Sequence, residues 1–356
     1  MDYCMDAKEI REKYERLNAS FKKVLIYHCG IDTGFFTEYT RMIDAMLYCL
    51  EHKIQFRLYS DYANFGYGTP GGWTDYFLPF CPEVHEPFHR KYNLYKSPSW
   101  KVICSETIRK REIGLVAWKL KSVFRYLQGS FYAFKIYKKK VLLTHHIGNY
   151  KDASHHFDIP ELGICGNYFQ AFSILFEMTW HLNPDMEKCC GECCAHLCLE
   201  NEYAACQVRG GDKITEVSLI SPERYVEVLR KNTECKNVFV LTDDYNLFVR
   251  LQNLAPDLQW HTFCLPQEAG YTNSSFSEIK GGEKKSQMVR FLASFEMLRH
   301  ASLFIGSITT APSMFLLKIL FPSRVLPIDC PQEDMSRIAL LHLKERVKIS
   351  QAYLQH

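Results

Sequence analysis

Apolar positions along this chain recur in two rhythms. Lys23-Val-Leu-Ile-Tyr-His-Cys29 is a continuous apolar run of strand length. After the turn Gly30-Ile-Asp-Thr-Gly34, residues Phe36, Tyr39, Met42, Ile43, Met46, Leu47 and Leu50 fall three and four apart, the spacing of one helix face. A second strand-like run at 54–60 completes a strand, helix, strand unit, which implies a parallel sheet. A short charged helix over 7–20 precedes it.

The same alternation returns in the second half. An apolar helix over 167–182 breaks at Asn183-Pro184, and a second helix follows. From Tyr203 a strand over 204–208 stops at Arg209-Gly-Gly-Asp-Lys213, and Ser221-Pro222 opens a helix to about residue 232. The run 238–242 ends at Asp243-Asp244, a helix reaches about residue 254, and a short strand follows near 259–263. Residues 266–285 read as a long Gly, Ser and Glu-rich loop. A helix over 287–299, a strand over 301–305 and the polar turn Gly306-Ser-Ile-Thr-Thr-Ala-Pro312 come next. A further helix, a strand near 325–328 and a last helix from about 334 close the chain. The pattern predicts two α/β domains, 1–195 and 196–356.

Three strands of the second half therefore finish in polar turns. In a parallel sheet the carboxyl ends of all strands share one edge, where open α/β sheets bind ligands. The chemistry of the turns is complementary: Arg209 can clamp a phosphate bidentately, the hydroxyls of Ser307, Thr309 and Thr310 can donate to phosphate oxygens at a helix start, and Asp243 or Asp244 can hold ribose or sugar hydroxyls. Each turn alone is an ordinary sheet-end loop. Together they point to a nucleotide or nucleotide-sugar site. Gly-Gly-Asp-Lys is not a full phosphate-binding loop, and Gly30 to Gly34 is too short for the dinucleotide fingerprint.

Composition narrows the class further. The 356 residues are 47% hydrophobic and 23% charged, with a formal net charge of +3, so nothing global calls for nucleic acid. Residues 81–143, however, hold 14 Lys or Arg against 4 Asp or Glu, with aromatic residues interleaved. Two readings stay open for that segment: helices lying in a membrane interface as a peripheral contact, or domain helices with an apolar core stripe and a solvated Lys face. The charged N-terminus is unlike a signal peptide, no stretch is apolar enough to span a bilayer, and the 15 cysteines are odd in number and dilute. A cytoplasmic protein with reduced thiols is expected. The lone Cys-x-x-Cys at Cys190 to Cys193 and the pairs His145-His146 and His155-His156 lack metal-site spacing, and core or loop roles are expected for both. Gly71-Gly-Trp-Thr-Asp-Tyr-Phe77 lies in an aromatic, Gly-rich loop that reads equally as a sugar-binding wall or as a packed lid.

Val208-Arg-Gly-Gly-Asp-Lys-Ile-Thr-Glu216, Pro222-Glu-Arg-Tyr225, Val238-Phe-Val-Leu-Thr-Asp-Asp244 and Ser307-Ile-Thr-Thr310 stand in the order of motifs in a known family. Over about residues 23–320 the chain resembles the GDP-fucosyltransferases of the core α1,6 type and their rhizobial relatives. The resemblance implies a GT-B-like α/β glycosyltransferase with a C-terminal Rossmann-like donor domain. It also implies inverting, metal-independent transfer of fucose from GDP-fucose to an oligosaccharide or glycoconjugate hydroxyl, with no cofactor. By the same resemblance Arg209 binds the donor's β-phosphate with help from Thr310, Asp212 and Lys213 organise the site, and Glu216 is the candidate base. Tyr225 and Asp243 or Asp244 contact the donor, and Gly71, Gly72 and Trp73 belong to the acceptor side. The chain departs from the family where Gln207 replaces a guanine-contacting His, where Ser294 with Glu296 nearby stands for a guanine-binding Asp, and where Gly210 replaces an Arg. The alternatives are a relative using another nucleotide sugar and a catalytically silent glycan- or nucleotide-binding protein.

Overall fold

The computed structural model describes residues 6–31, 33–92, 113–144, 147, 150, 152–197, 199, 202–210 and 219–355. The chain divides into two compact units, one of residues 1–148 and 159–164, the other of residues 149–158 and 165–356.

In the first unit, α1 (Ala7–Ser20) leads into β1 (Lys23–His28), α2 (Phe35–Glu51) and β2 (Ile54–Tyr59). β1 is the middle of a three-stranded parallel sheet, paired with β2 on one side and β3 (Val141–Thr144) on the other. The turn after β1 is held by the buried Glu38, whose carboxylate accepts from the Gly30 N–H at 3.2 Å and from Thr33 Oγ1 at 2.5 Å. Gly30 has φ +74°, and a Cβ there would stand 2.4 Å from that of Ala63, so only glycine fits.

In the basic segment the short α3 (Phe88–Lys91) is followed by one helix of 25 residues, α4 (Ile113–Tyr137). It stops because Lys138 takes a left-handed φ of 53°, and alternation of buried and exposed residues then makes 141–144 a strand. The Gly-Gly-Trp loop is core. Trp73 is fully buried, its ring stacked on Phe77 at 4.3 Å, its backbone N–H on Ser60 Oγ and its indole N–H on the Leu78 carbonyl. Gly71 and Gly72 are buried beside it, and a Cβ on Gly72 would meet the Ser60 carbonyl at 2.5 Å.

Short strands β4 (Phe157–Ile159) and β5 (Ile164–Gly166) precede α5 (Tyr168–Thr179) and α6 (Pro184–Ala195). The expected boundary near 195 falls earlier, because both helices pack into the second unit: Phe172 and Phe176 lie 5.3 and 5.5 Å from the Phe315 ring, and Cys190 Sγ reaches the Val289 carbonyl at 3.7 Å. Burial pushes the Cys190 thiol up to about 12, so it is a protonated core thiol.

The second unit is built on five parallel strands, β6 (Ala204–Val208), β7 (Asn237–Thr242), β8 (Gln259–His261), β9 (Leu303–Gly306) and β10 (Val325–Pro327). Their order is β10-β9-β6-β7-β8, the doubly wound arrangement in which the winding direction reverses between the first and fourth strands. Between them run α7 (Pro222–Asn232), α8 (Tyr245–Leu254), α9 (Asn273–Glu278), α10 (Gly281–His300) and α11 (Ala311–Leu320). The short α12 (Met335–Ile338) and then α13 (Leu343–Leu354) follow β10. The expected loop over 266–285 is shorter than its composition suggested, since α9 and the start of α10 lie within it, α9 begun by Thr272 accepting from the Ser275 N–H.

Truncating Trp73 to Ala should lower unfolding free energy by about 3–5 kcal/mol, the loss typical of a buried aromatic ring. Urea denaturation checks this, and a midpoint near that of the unaltered protein would place the ring outside the cooperative core.

Candidate functional site: the carboxyl edge of the second sheet

Arg209-Gly210, Asp243-Asp244 and the turn 307–310 lie along one sheet edge, because β6 is central and β7 and β9 flank it. On the β7 side, Arg209 Nη1 donates to Asp243 Oδ2 at 2.7 Å, with both side chains mostly buried. The same carboxylate accepts from the Gly210 N–H at 2.8 Å and the Tyr271 N–H at 2.9 Å. Arg209 Nη2 also reaches the Tyr271 carbonyl at 3.4 Å, and the guanidinium lies 5.2 Å from the centroid of that ring. Asp243 thus fixes the fork of Arg209 and draws residues 270–271 onto the edge, where the Gly270 N–H bonds its carbonyl at 2.7 Å. Glu268, held by Arg290 at 2.5 Å, steadies that loop. Asp244 caps α8 by accepting from the Asn246 N–H at 2.9 Å.

On the β9 side lies the reversal point of the sheet. Gln207, 5% exposed, turns its amide oxygen to the start of α11, where it accepts from Thr310 Oγ1 at 2.7 Å, the Ser313 N–H at 3.0 Å and Ser313 Oγ. An oxygen of the protein therefore occupies the place where the first turn of a helix would receive an anion. Ser307 and Thr309 are likewise committed inward: Ser307 Oγ donates to Asp329 Oδ2 at 2.6 Å and lies 2.7 Å from Thr309 Oγ1, and the Ile308 N–H donates to Asp329 Oδ1 at 2.9 Å. Ser350 Oγ on α13 completes the shell of this fully buried carboxylate at 2.8 Å. Burial raises its pKa, and the bonds from Ser307, Ile308 and Ser350 oppose that without cancelling it.

Other residues singled out from sequence stand behind this edge. Tyr225 is buried, and its hydroxyl donates to the Gln207 carbonyl at 2.8 Å. Ser294 is buried in α10 and bonds the Arg290 carbonyl one turn back at 2.7 Å. Glu296 accepts from Trp180 Nε1, from Arg299 at 3.3 Å and from His300 at 3.2 Å. Burial works to raise its pKa, but His300, Arg299 and Trp180 outweigh it and the carboxyl is held below its ordinary value. Asp212, Lys213 and Glu216 lie outside the described residues.

The first unit holds a polar chain that sequence reasoning missed, because attention to adjacent His pairs passed over single ones. His155 and His156 are exposed, while His28 and His89 are fully buried and bonded to each other, Nε2 to Nδ1, at 2.9 Å. His89 Nε2 meets the Tyr137 hydroxyl at 2.8 Å, which donates to Glu86 Oε2 at 2.6 Å. Since Tyr137 gives its proton to Glu86, His89 must donate to Tyr137 and accept from His28, and both tautomers follow. Burial lowers the His89 pKa to about 4 against the pull of Glu86. The signal available in sequence was His28 at the carboxyl end of an apolar strand.

Among the described residues no three His, Cys, Asp or Glu side chains are placed to hold a metal ion, and no helix is long and apolar enough to cross a membrane. No protein-family model and no curated protein matches the chain. Among solved structures it is similar to NodZ alpha-1,6-fucosyltransferase soaked with GDP-fucose, at TM-score 0.46 and 10% identity over 84% of this chain and 92% of that one. It is similar to fucosyltransferase NodZ from Bradyrhizobium at 0.47 and 11%, over 87% and 96%. POFUT1 in complex with GDP-fucose is similar at 0.43 and 10%, over 86% and 97%.

Two measurements follow. Gln207→Ala strands the Thr310 and Ser313 donors and should cost about 2 kcal/mol in urea unfolding. His89 binds a proton more readily unfolded, at about 6.5, than folded, at about 4. Stability should therefore fall as pH drops from about 6.5 and level off below 4, with a limiting loss of roughly 3 kcal/mol. A His89→Asn variant should flatten that slope in thermal melts taken across the range.

Proposed function

We propose that this protein is a GT-B-like glycosyltransferase whose second unit binds a nucleotide sugar, GDP-fucose in the first instance, and passes fucose to an oligosaccharide or glycoconjugate hydroxyl. The observation that carries the reading is Arg209, held by Asp243 and Tyr271 at the carboxyl edge of the central strand, within the motif order described from sequence. A guanidinium so oriented offers paired N–H groups to a diphosphate and offsets the charge that grows on it as the sugar leaves. In the proposed inverting, metal-independent step the acceptor hydroxyl attacks C1, its proton passes to a carboxylate with Glu216 as candidate, and the C1–oxygen bond to the diphosphate breaks. Asp212 and Lys213 organise the phosphate side. Gln207, Thr310 and Tyr225 support the turn from within, and Asp243 orients Arg209. A cytoplasmic setting suits the thiols that are free among the described residues.

One observation favours a second reading, a silent glycan- or nucleotide-binding protein. Asp243 already neutralises Arg209, and Asp329 already takes the donors of the β9 turn. A donor phosphate must compete with two carboxylates of the protein itself.

Incubation with a panel of nucleotide sugars, following both nucleotide release and binding, separates the two. Release from GDP-fucose alone supports the main reading, release from another donor moves the specificity, and tight binding without release supports the silent one. Binding of no nucleotide defeats both. Arg209→Ala should lower turnover about 100-fold or more with the melting temperature little changed, and an unaltered rate would remove Arg209 from the phosphate site.

A further inference from the structure

Helix α4 is fastened to its unit along one side. Gly129 and Ala133 are buried, a Cβ on Gly129 would stand 3.2 Å from the Tyr92 side chain, and Tyr137 bonds Glu86. On the far side, Leu120, Val123, Phe124, Leu127, Phe131 and Phe134 recur at helical spacing and are 38% to 66% exposed. That is a continuous apolar stripe facing outward. An ordinary domain helix turns such a stripe to the core, so the core-stripe alternative does not describe this face.

The margins of the stripe name its partner. Lys121, Arg125 and Lys135 border one side and Lys119 the other, with the amphipathic rings of Trp118, Tyr126 and Tyr132 beyond. Residues 113–140 contain seven Lys or Arg, ending in the exposed Lys138-Lys139-Lys140, and no Asp or Glu. Two copies packed through this face would bring like charges together without a compensating carboxylate. The helix is also too polar to cross a bilayer. An anionic lipid surface satisfies both features at once: headgroup phosphates and carboxylates meet the cations, and the acyl boundary receives the apolar side chains.

We propose that α4 is an in-plane membrane anchor, lying in the headgroup region of an anionic bilayer with the Leu120 to Phe134 stripe directed into it. The assignment is independent of the donor-site reading, since it rests on the first unit alone and needs no catalysis.

The test is sedimentation of the full chain with vesicles of phosphatidylcholine mixed with phosphatidylserine, against phosphatidylcholine alone. Binding to the mixed vesicles is expected, about tenfold or more tighter than to the neutral ones and weakened by salt. Phe124→Ser with Phe131→Ser, and separately Lys121→Glu with Arg125→Glu and Lys135→Glu, should each reduce it about tenfold or more. Because these side chains are exposed, melting temperatures should match the parent, which separates lost binding from lost folding. Absence of binding to the mixed vesicles overturns the proposal, and so does equal binding by both variant sets. A dimer in solution that the two Phe replacements dissolve would also overturn it, assigning the stripe to a contact between copies.

Discussion

The amide oxygen of Gln207 is the contact on which the second unit's sheet edge depends. It stands at the end of the central strand, where the winding of the sheet reverses, and joins that strand to the first turn of α11 through Thr310 and Ser313. The carbonyl of the same residue receives the Tyr225 hydroxyl, which secures α7 from the other side. One residue thus ties two helices to one strand. Because an amide is neutral, it satisfies the orphan donors of the helix start without the desolvation penalty that a buried carboxylate would bring.

Carboxylates do related work where the chain leaves β1, β6, β7 and β9. Glu38 gathers the turn after β1, Asp243 the turns after β6 and β7, and Asp329 the turn after β9, each accepting from backbone N–H groups and from hydroxyl or guanidinium donors. Asp75 holds the Gly-rich loop in the same way, taking the N–H groups of Tyr67, Gly68 and Gly72. Irregular backbone cannot satisfy its own polar groups as a helix or ladder does, and a side chain with several lone pairs does it locally. The result is order in the turns.

Much of this was legible in sequence. The β6, β7 and β9 runs, the parallel edge they share and the position of Arg209 and Asp243 on it follow from apolar runs ending in polar residues. What was not legible depends on contacts far apart in the chain. Nothing local says that Ser307 faces the distant carboxylate of Asp329, that Tyr225 points inward, or that Trp73 is core. The unit to which α5 and α6 belong is not legible for the same reason: amphipathic spacing marks a buried face without saying what buries it. The helical spacing of α4 is legible in sequence, but not that its apolar stripe faces outward.

Tyr137 belongs to two of the features described. It is the last residue of α4, and its hydroxyl is the link between Glu86 at the surface and the buried imidazoles of His89 and His28. A shift of the last turn of α4 by little more than the length of a hydrogen bond would break that link and leave His89 without its outer acceptor. The orientation of an exposed helix and the hydrogen bonding of a histidine pair beneath it are therefore mechanically joined through a single phenol oxygen.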